Sequence, residues 1–247
     1  MKVIPAIDIK DGRCVRLFKG RFDDVTEYDA DPAMLAADYA RQGADWIHCV
    51  DLDGARQGVA GNLSKITQIA AELPGRVQVG GGVRDAAAIG ALLEAGAGRA
   101  VVGSAAVQQP DATRSWLQEF GAERIVLALD VSREPPHKSP MLVIKGWTET
   151  SRVTLWEALD QFTAAGLRHV LCTDISRDGA MTGPAVDLYS ECAGRYPGVA
   201  FQASGGVRDL ADLVDLEATG VQSAIVGKAL LEGRITETEL QPFLQSA

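Results

Sequence analysis

The sequence lacks any long apolar run, and it lacks an excess of basic residues. No apolar stretch approaches the ~18 residues that a membrane-spanning helix needs, and the N-terminal residues do not have the layout of a signal peptide. We therefore expect a cytoplasmic protein without a membrane partner. Lysine and arginine together number 24 against 33 aspartates and glutamates, which gives a formal net charge of −9. Nucleic-acid binders usually present a basic surface, so a nucleic-acid partner is not expected.

Cysteine and histidine are also few, and their spacing excludes the common metal and disulfide motifs. The sequence has no Cys-x-x-Cys pair, and its three histidines show no metal-ligand spacing with the cysteines. Most of the cysteines lie inside apolar segments: Cys14, Cys49, Cys172 and Cys192. We expect reduced thiols in a cytosolic core and no metal site.

The most informative feature that is present is an internal repeat. Gly-Gly-Val-Arg-Asp occurs at Gly81–Asp85 and again at Gly205–Asp209, half a chain length apart. Further landmarks recur in the same order at nearly the same separation: Val101–Gly103 with Ile225–Gly227, Cys49–Asp51 with Cys172–Asp174, and Pro5–Ile9 with Leu127–Val131. These pairs predict two similar halves, about residues 1–123 and 124–247, in one domain that spans residues 1–247.

Apolar runs of strand length alternate with helical patterns along both halves. The runs are Val3–Ile7, Trp46–Val50, Val77–Val79, Ala100–Val102, Ile125–Leu129, His169–Cys172, Val199–Ala203 and Ser223–Val226. Continuous apolar runs are typical of parallel strands that are buried on both faces. The α/β pattern therefore predicts a (β/α)8 TIM barrel built from two similar half-barrels. A doubly wound sheet is the alternative, but it would not explain the two four-strand halves.

Capping residues mark the starts of several helices. Asp85 and Asp209 are predicted N-cap residues of helices over 86–95 and 210–219, and Val214 is expected to face the core with its neighbours. Thr154 and Glu157 have the spacing of a capping box.

Two long polar segments are interpreted as loops at the active-site face of the barrel. Arg13–Tyr28 follows the first strand and Arg133–Pro140 follows the fifth. Either a lid or a simple excursion of the chain fits such loops. Asp51 and Asp174 are interpreted as residues that organise loops.

Two aspartates are the first candidates for chemistry. Asp8 is expected to end strand one and Asp130 to end strand five, on opposite sides of the barrel mouth. Carboxyl groups so placed can reach one ligand from both sides, one taking a proton while the other gives one. The structural alternative is that each caps a loop or pairs with a cation.

Glycine-rich turns follow four of the predicted strands in two pairs. The loops after strands seven and eight are the usual phosphate site of this barrel type, because backbone N–H groups and a helix start converge there. The repeat predicts a second such site on the opposite side. The residues are Gly81, Gly82, Gly103 and Ser104 in one pair, and Gly205, Gly206, Gly227 and Lys228 in the other. A substrate with a phosphate at each end would place its reactive middle between the aspartates.

Further polar candidates lie on or after the strands. Each could contact a substrate, and each could equally be an ordinary core or surface residue: Thr173, Asp178, His48, Arg16, Arg84 and Trp147.

Several segments together resemble the histidine-biosynthesis isomerases that act on phosphoribosylformimino-5-aminoimidazole carboxamide ribotide. The segments are Ile4–Asp8, Asp11–Leu17, His48–Leu52, Gly80–Arg84 and Cys172–Gly179, and the resemblance covers essentially the whole chain. The cyclase of the same pathway shares the repeat and both aspartates. Its first strand usually reads Cys-Leu-Asp, whereas this chain has Pro-Ala-Ile-Asp, which favours the isomerase.

The resemblance implies an Amadori rearrangement of an aminoaldose to an aminoketose on one ribose of a bisphosphorylated small molecule, with no cofactor and no metal. It implies that Asp8 is the general base and Thr173 a supporting residue. Asp130 matches the general acid, but Asp178 matches a catalytic aspartate of some members, so the acid stays open between them. The glycine pairs match the two phosphate sites.

Two other functions are weighed against this one, and a monomer is expected. A bifunctional isomerase would also act on phosphoribosylanthranilate in tryptophan synthesis, but the loop Arg133–Pro140 differs from the shorter loop expected there. A non-catalytic barrel that binds a phosphorylated ligand would not need paired carboxylates.

Overall fold

The computed structural model describes residues 1–134 and 139–244 of the chain. Within these ranges the strands are β1 (Lys2–Lys10), β2 (Arg13–Phe18), β3 (Arg21–Glu27), β4 (Ile47–Asp51), β5 (Val77–Gly80), β6 (Arg99–Val102), β7 (Ile125–Ser132), β8 (Met141–Ile144), β9 (Glu149–Thr154), β10 (His169–Asp174), β11 (Ala200–Ser204) and β12 (Ser223–Val226). The helices are α1 (Pro32–Arg41), α2 (Leu52–Gln57), α3 (Leu63–Glu72), α4 (Ala86–Glu94), α5 (Ser104–Gln108), α6 (Pro110–Phe120), α7 (Leu155–Thr163), α8 (Val186–Arg195), α9 (Leu210–Ala218), α10 (Lys228–Leu231) and α11 (Glu237–Leu244).

The central sheet is a closed parallel barrel. Within the described ranges, eight strands pair in parallel in the order β1, β4, β5, β6, β7, β10, β11 and β12, and β12 pairs again with β1. Helices connect successive barrel strands. The predicted (β/α)8 barrel is confirmed, and the doubly wound sheet is wrong because an open sheet has no pairing between its first and last strands.

Apolar residues fill two separate spaces of the barrel. The larger core lies between the strands and the surrounding helices, and all four cysteines are buried free thiols there or nearby, as predicted. A smaller cluster fills the inside of the barrel: Ile4, Ala6, Val101, Val126, Leu171 and Ile225. The inside of the barrel is therefore a packed core and not an open pore. In the described part of the chain, no helix is both long and apolar enough to span a bilayer.

The predicted helix caps are confirmed, but one core residue is not. The carboxylates of Asp85 and Asp209 accept hydrogen bonds from the first turns of α4 and α9, and Thr154 and Glu157 form a capping box. Val214 was expected to be buried, yet 52% of its surface is exposed. Successive residues of a helix are about 100° apart around its axis, so Val214 does not share the buried direction of its neighbour Leu213. Asp212, two residues before Val214, is buried instead.

The segment Arg13–Tyr28 is a β-hairpin, so its interpretation as a loop is wrong. Strand β2 pairs antiparallel with the extension of β1 and then with β3. Val15 and Leu17 alternate with polar residues and are buried against Leu52. The alternation of period two supplies the physical reason for a strand.

The second predicted loop, Arg133–Pro140, is described only in part. Residues 135–138 lie outside the described residues. The chain that follows forms a second antiparallel hairpin, β8 and β9, with β8 paired to the extension of β7. The hairpins thus occur at corresponding places of the two halves, after β1 and after β7.

Candidate active site

Asp8 and Asp130 point into the carboxyl end of the barrel from opposed strands. Each has the same parity along its strand as residues of the inner cluster, Ala6 on β1 and Val126 on β7. Neither aspartate ends its strand, contrary to the expectation, because the hairpins extend pairing by two residues beyond each of them. The side chains nevertheless occupy the mouth of the barrel.

Asp8 is held by a cation that comes from the first hairpin. Nη1 of Arg16 lies 3.0 Å from Oδ2 of Asp8, and both side chains are 12% exposed. Burial raises the pKa of Asp8 to about 6, the Arg16 guanidinium opposes this rise, and the charge of Asp178 adds to it. Asp8 is therefore mostly a carboxylate at pH 7, with a pKa near that of an effective general base.

Asp130 is held by neutral donors. The indole Nε1 of Trp147, in the turn between β8 and β9, donates to Oδ2 of Asp130 at 2.9 Å. The Thr173 hydroxyl also hydrogen-bonds to Asp130. Burial raises the pKa of Asp130 above its usual range, and these two hydrogen bonds oppose the rise. A carboxyl group in such surroundings keeps its proton to higher pH than an exposed one.

A third carboxyl group lies close to Asp8. Asp178 follows β10, and burial raises its pKa, while the charge of Arg16 and the N–H of Gly179 oppose the rise. Arg16 therefore stands between two aspartates of the mouth and interacts with both. The three carboxyl groups that the sequence singled out are thus brought into one electrostatic group.

The glycine turns after β11 and β12 line a small cavity with Arg16 and Asp178. The cavity volume is about 20 Å³, and its lining includes Gly205, Gly206, Gly227 and Lys228. Nε of Arg16 is buried there without a hydrogen-bond partner among the described residues. A Cβ at Gly227 would lie 2.6 Å from the Arg16 guanidinium carbon. The guanidinium thus fills the space above Gly227.

Some of these glycines are also required by packing. Gly81 has a φ of +104°, and a Cβ there would collide with the carbonyl oxygen of Asp51. Gly206 has a φ of +88°, and a Cβ there would collide with the carbonyl oxygen of Gly183. At Gly103 the nearest atom to such a Cβ is 4.0 Å away. Packing therefore explains why glycine occupies positions 81 and 206. It does not explain Gly103, where the close approach of a ligand is another reason for glycine.

The remaining side chains of the glycine pairs contact the loops around the mouth. The Ser104 hydroxyl accepts a hydrogen bond from the backbone N–H of Lys145, beside Trp147, at 3.0 Å. Nζ of Lys228 lies 3.4 Å from the carbonyl oxygen of Gly179. Both side chains are thus at the mouth. Gly82, like its repeat partner, has a positive φ and approaches a neighbouring backbone.

The two hairpins meet over the mouth. Gly20, at the tip of the β2–β3 hairpin, packs so closely on the Trp147 ring that a Cβ would collide with it. Gly179 packs under the same tip, where a Cβ would lie 2.8 Å from the carbonyl oxygen of Leu17. The hairpins therefore cover Asp8 and Asp130 from opposite sides.

Two of the sequence candidates lie outside this group. Arg84 is exposed and directs Nη2 toward the carbonyl oxygen of Ala55 in α2, at 3.4 Å. His48 is 7% exposed and lies one layer deeper in the barrel, because it pairs with Ala6, whereas Val50 pairs with Asp8.

The loop-organising role of Asp51 and Asp174 is confirmed. Asp51 accepts hydrogen bonds from the backbone of Gly54 and Gly61 and from the backbone and side chain of Asn62. Asp174 accepts hydrogen bonds from the backbone and side chain of Ser176.

Sequence reasoning missed two glutamines inside the barrel. Gln78 and Gln202 are buried and hydrogen-bonded to each other, and Gln78 also contacts His48. The signal was present, because each is a polar residue inside an apolar run, three positions before the first glycine of the repeated motif.

A closed α/β barrel whose mouth holds opposed carboxyl groups, one buried and one half-buried and both with a raised pKa, is typical of enzymes that move protons on a small molecule. The comparison with known sequences narrows this class.

The model of the family described as "Histidine biosynthesis protein" matches residues 2–236, and the chain belongs to this family. A protein of Vibrio cholerae serotype O1 is 47% identical over 237 residues, which cover 96% of each chain. A protein of Stenotrophomonas maltophilia is 48% identical over 96% of this chain and 97% of its own. One of Aliivibrio salmonicida is 46% identical over 99% of each. All three are named 1-(5-phosphoribosyl)-5-((5-phosphoribosylamino)methylideneamino)imidazole-4-carboxamide isomerase.

Proposed function

We propose that this chain is an aldose–ketose isomerase of histidine biosynthesis that converts the ribotide named in its relatives to the ribulosyl form. The observation that carries the proposal is that Asp8, which is buried, and Asp130, which is half-buried, lie on opposed strands at the barrel mouth, and that the pKa of each is raised. The reaction moves protons between neighbouring atoms of one sugar, so it needs a base and an acid that reach the same molecule from two sides.

The chemistry follows the Amadori rearrangement. A carboxylic acid protonates the ring oxygen of the ribose, and the ring opens to a protonated Schiff base. The Asp8 carboxylate then removes the proton from C2 of the sugar. The resulting enolamine becomes the ketose when C1 takes up a proton and the C2 hydroxyl loses one. Asp130 and Asp178 are the two carboxyl groups that can supply the first proton, and burial raises the pKa of both.

The two glycine pairs are the proposed phosphate anchors. Support comes from the Arg16 guanidinium, which lies beside Gly227, and from the space at Gly103, where packing does not require glycine. A cavity of about 20 Å³ holds roughly one water, so a phosphate at Gly227 requires Arg16 to withdraw. Anchors at both ends would fix the reactive carbon between the aspartates, so a substrate without one phosphate should lose rate as well as affinity.

Several further properties belong to this proposal. We place residues 1–247 in one barrel domain that acts as a cytoplasmic monomer on a bisphosphorylated small molecule, with neither metal, cofactor nor nucleic-acid partner. Thr173 supports the acid by its hydrogen bond to Asp130. We also propose that three side chains contact the substrate, in order from the nearest to the aspartates to the farthest: Trp147, His48 and Arg84.

The test is an assay of the purified protein with the formimino ribotide, run in parallel with phosphoribosylanthranilate. Conversion of the ribotide alone supports the proposal, and conversion of both would indicate the bifunctional isomerase. Tight binding of the ribotide without turnover would refute the proposal and favour a binding barrel.

A further inference from the structure

A reciprocal pair of amides lies inside the barrel, below the candidate active site. Nε2 of Gln78 donates to Oε1 of Gln202 at 2.7 Å, and Nε2 of Gln202 donates back to Oε1 of Gln78 at 3.0 Å. The two residues are 0% and 2% exposed. Turning over one amide alone would set oxygen against oxygen and nitrogen against nitrogen. Each glutamine therefore holds the orientation of the other.

The pair is symmetric, but its surroundings are not. The strand register sets His48 beside Gln78 in one half of the barrel and Leu171 beside Gln202 in the other. Nε2 of Gln78 lies 3.1 Å from Nδ1 of His48, whereas a leucine side chain has no acceptor. The second N–H of the Gln78 amide therefore has His48 as an acceptor, whereas Leu171 offers none to Gln202. The half of the barrel with Leu171 thus serves as an internal control.

The contact determines which ring nitrogen of His48 carries the proton. An amide nitrogen donates and does not accept, so Nδ1 must accept, and a neutral ring then has its proton on Nε2. Among the described residues, the fully enclosed polar side-chain atoms without a partner are Nε of Arg16 and the Tyr28 hydroxyl. Nε2 of His48, which has no hydrogen bond either, therefore opens onto accessible space.

His48 lies below Asp8 in the barrel, because it pairs with Ala6 of β1. His48 is two residues before Val50, which pairs with Asp8, so it stands roughly 7 Å below that carboxylate along the strand. We propose that Gln78, held by Gln202, is a positioning residue of the active site: it fixes His48 as a neutral ring with its proton on Nε2, a hydrogen-bond donor that faces the substrate. The identity of the substrate rests on the proposed function, but the state of the ring does not.

A neutral donor suits this position. Burial and the charge of Arg16 lower the pKa of His48 to about 3, so the ring does not take up a proton near neutral pH. His48 therefore takes no part in proton transfer, which is left to the aspartates. It orients an oxygen of the sugar without adding a second positive charge beside Arg16.

The first test reads the ring directly. Protein labelled with ¹⁵N-histidine gives signals from three histidines, and loss of one set in His48→Leu, which copies the other half of the barrel, identifies those of His48. The expected result near pH 7 is a proton on Nε2. If the two amides are instead turned over together, the proton lies on Nδ1, and that result overturns the proposal.

The second test separates positioning from packing. Gln78→Met and Gln202→Met remove the same group from the same pair, and each leaves the other amide without its partner, so both should lower the unfolding midpoint alike. Gln78→Met removes the donor itself, so it should release the ring to both tautomers and lower kcat roughly tenfold, as for one lost hydrogen bond, with a smaller change in KM. Gln202→Met keeps the Gln78 amide and only frees it to turn, so its loss of kcat should be smaller.

The double variant Gln78→Met with Gln202→Met leaves no unpaired amide, so stability should recover while the fixed tautomer and full kcat do not. Equal losses of kcat in the two single variants, or full kcat in the double variant, would show a packing role and refute the proposal. If the wild-type protein does not convert the ribotide, the proposed function fails, and the tautomers of the variants still decide the role of Gln78.

Discussion

Replacing Asp8 by asparagine should make the protein more stable and nearly inactive. The pKa of Asp8 rises from 3.8 to about 6 in the fold, which means that the folded state resists its ionisation. One pKa unit corresponds to about 1.4 kcal/mol, so the charge on Asp8 lowers the free energy of unfolding by about 3 kcal/mol at pH 8. The attraction of Arg16 is already contained in this figure, because it is one of the causes of the shift. Asparagine has the same shape and no charge, so this loss is avoided.

The sign of the pH dependence follows from the same shift. Because the pKa of Asp8 is raised in the folded state, its stabilising proton is fully bound below pH 3.8 and is lost as the pH rises through about 6. The difference in stability between Asp8→Asn and the wild type should therefore be near zero below pH 3.8, grow between pH 3.8 and about 6, and stay constant above. Chemical denaturation of both proteins at several pH values measures it.

Asp51→Asn is the matched control. Asp51 is also buried, but it accepts four hydrogen bonds, from Gly54, Gly61 and Asn62. An asparagine cannot accept all of them, so this variant should lose stability by roughly 1–3 kcal/mol. A loss of stability in Asp8→Asn at pH 8 would refute the account of Asp8 as a destabilised charge. Turnover near that of the wild type would refute its role as the base. In the wild type, kcat/KM should fall below about pH 6 as Asp8 becomes protonated.

Three further predictions concern the acid and the anchors. Asp130→Asn and Asp178→Asn should differ in the pH dependence of kcat, because the variant that has lost the acid loses the alkaline limb and the other keeps it; two unchanged profiles would exclude both. Trp147→Phe removes a donor to the carboxylate and should raise the pKa of Asp130 further, moving an alkaline limb due to Asp130 to higher pH, and an unmoved limb would contradict this. A crystal soaked in phosphate should show density at both glycine pairs, and density at one alone would refute the two-anchor model.

The barrel was predictable because its signals are local or repeated. Buried parallel strands are written as apolar runs, and the repeat fixes their number in each half. The β2–β3 hairpin was missed because its apolar residues, Val15 and Leu17, are few and lie among charged neighbours. The sequence predicts a buried Val214 because the residue is apolar and follows the core residue Leu213. In the structure Val214 is exposed, and Asp212, which forms an ion pair with Arg208, is buried instead.

The contacts between side chains in the site could not be predicted from the sequence, for a different reason. The aspartates could be selected by position, but their partners come from hairpins whose register the sequence does not show. Arg16 reaches Asp8 because β2 folds back on β1. Trp147 reaches Asp130 from a turn in which its own φ is +68°. The glutamine pair differs, since comparing the two halves residue by residue would have found it.

These partners give two aspartates at equivalent positions of the repeat different surroundings. Asp8 has a guanidinium beside it, and a cation stabilises the carboxylate form most strongly. Asp130 has an indole N–H and a hydroxyl, which carry no net charge and also oppose the effect of burial. The two aspartates therefore differ in the charge of their partners, although their positions in the repeat are equivalent. His48 follows the same division, because it is present only in the half of Asp8, where a neutral ring leaves Arg16 as the sole positive partner of that carboxylate among the described residues. The hairpins and one histidine thus make the two halves of the mouth chemically different, while the repeated glycines and glutamines stay alike in both halves.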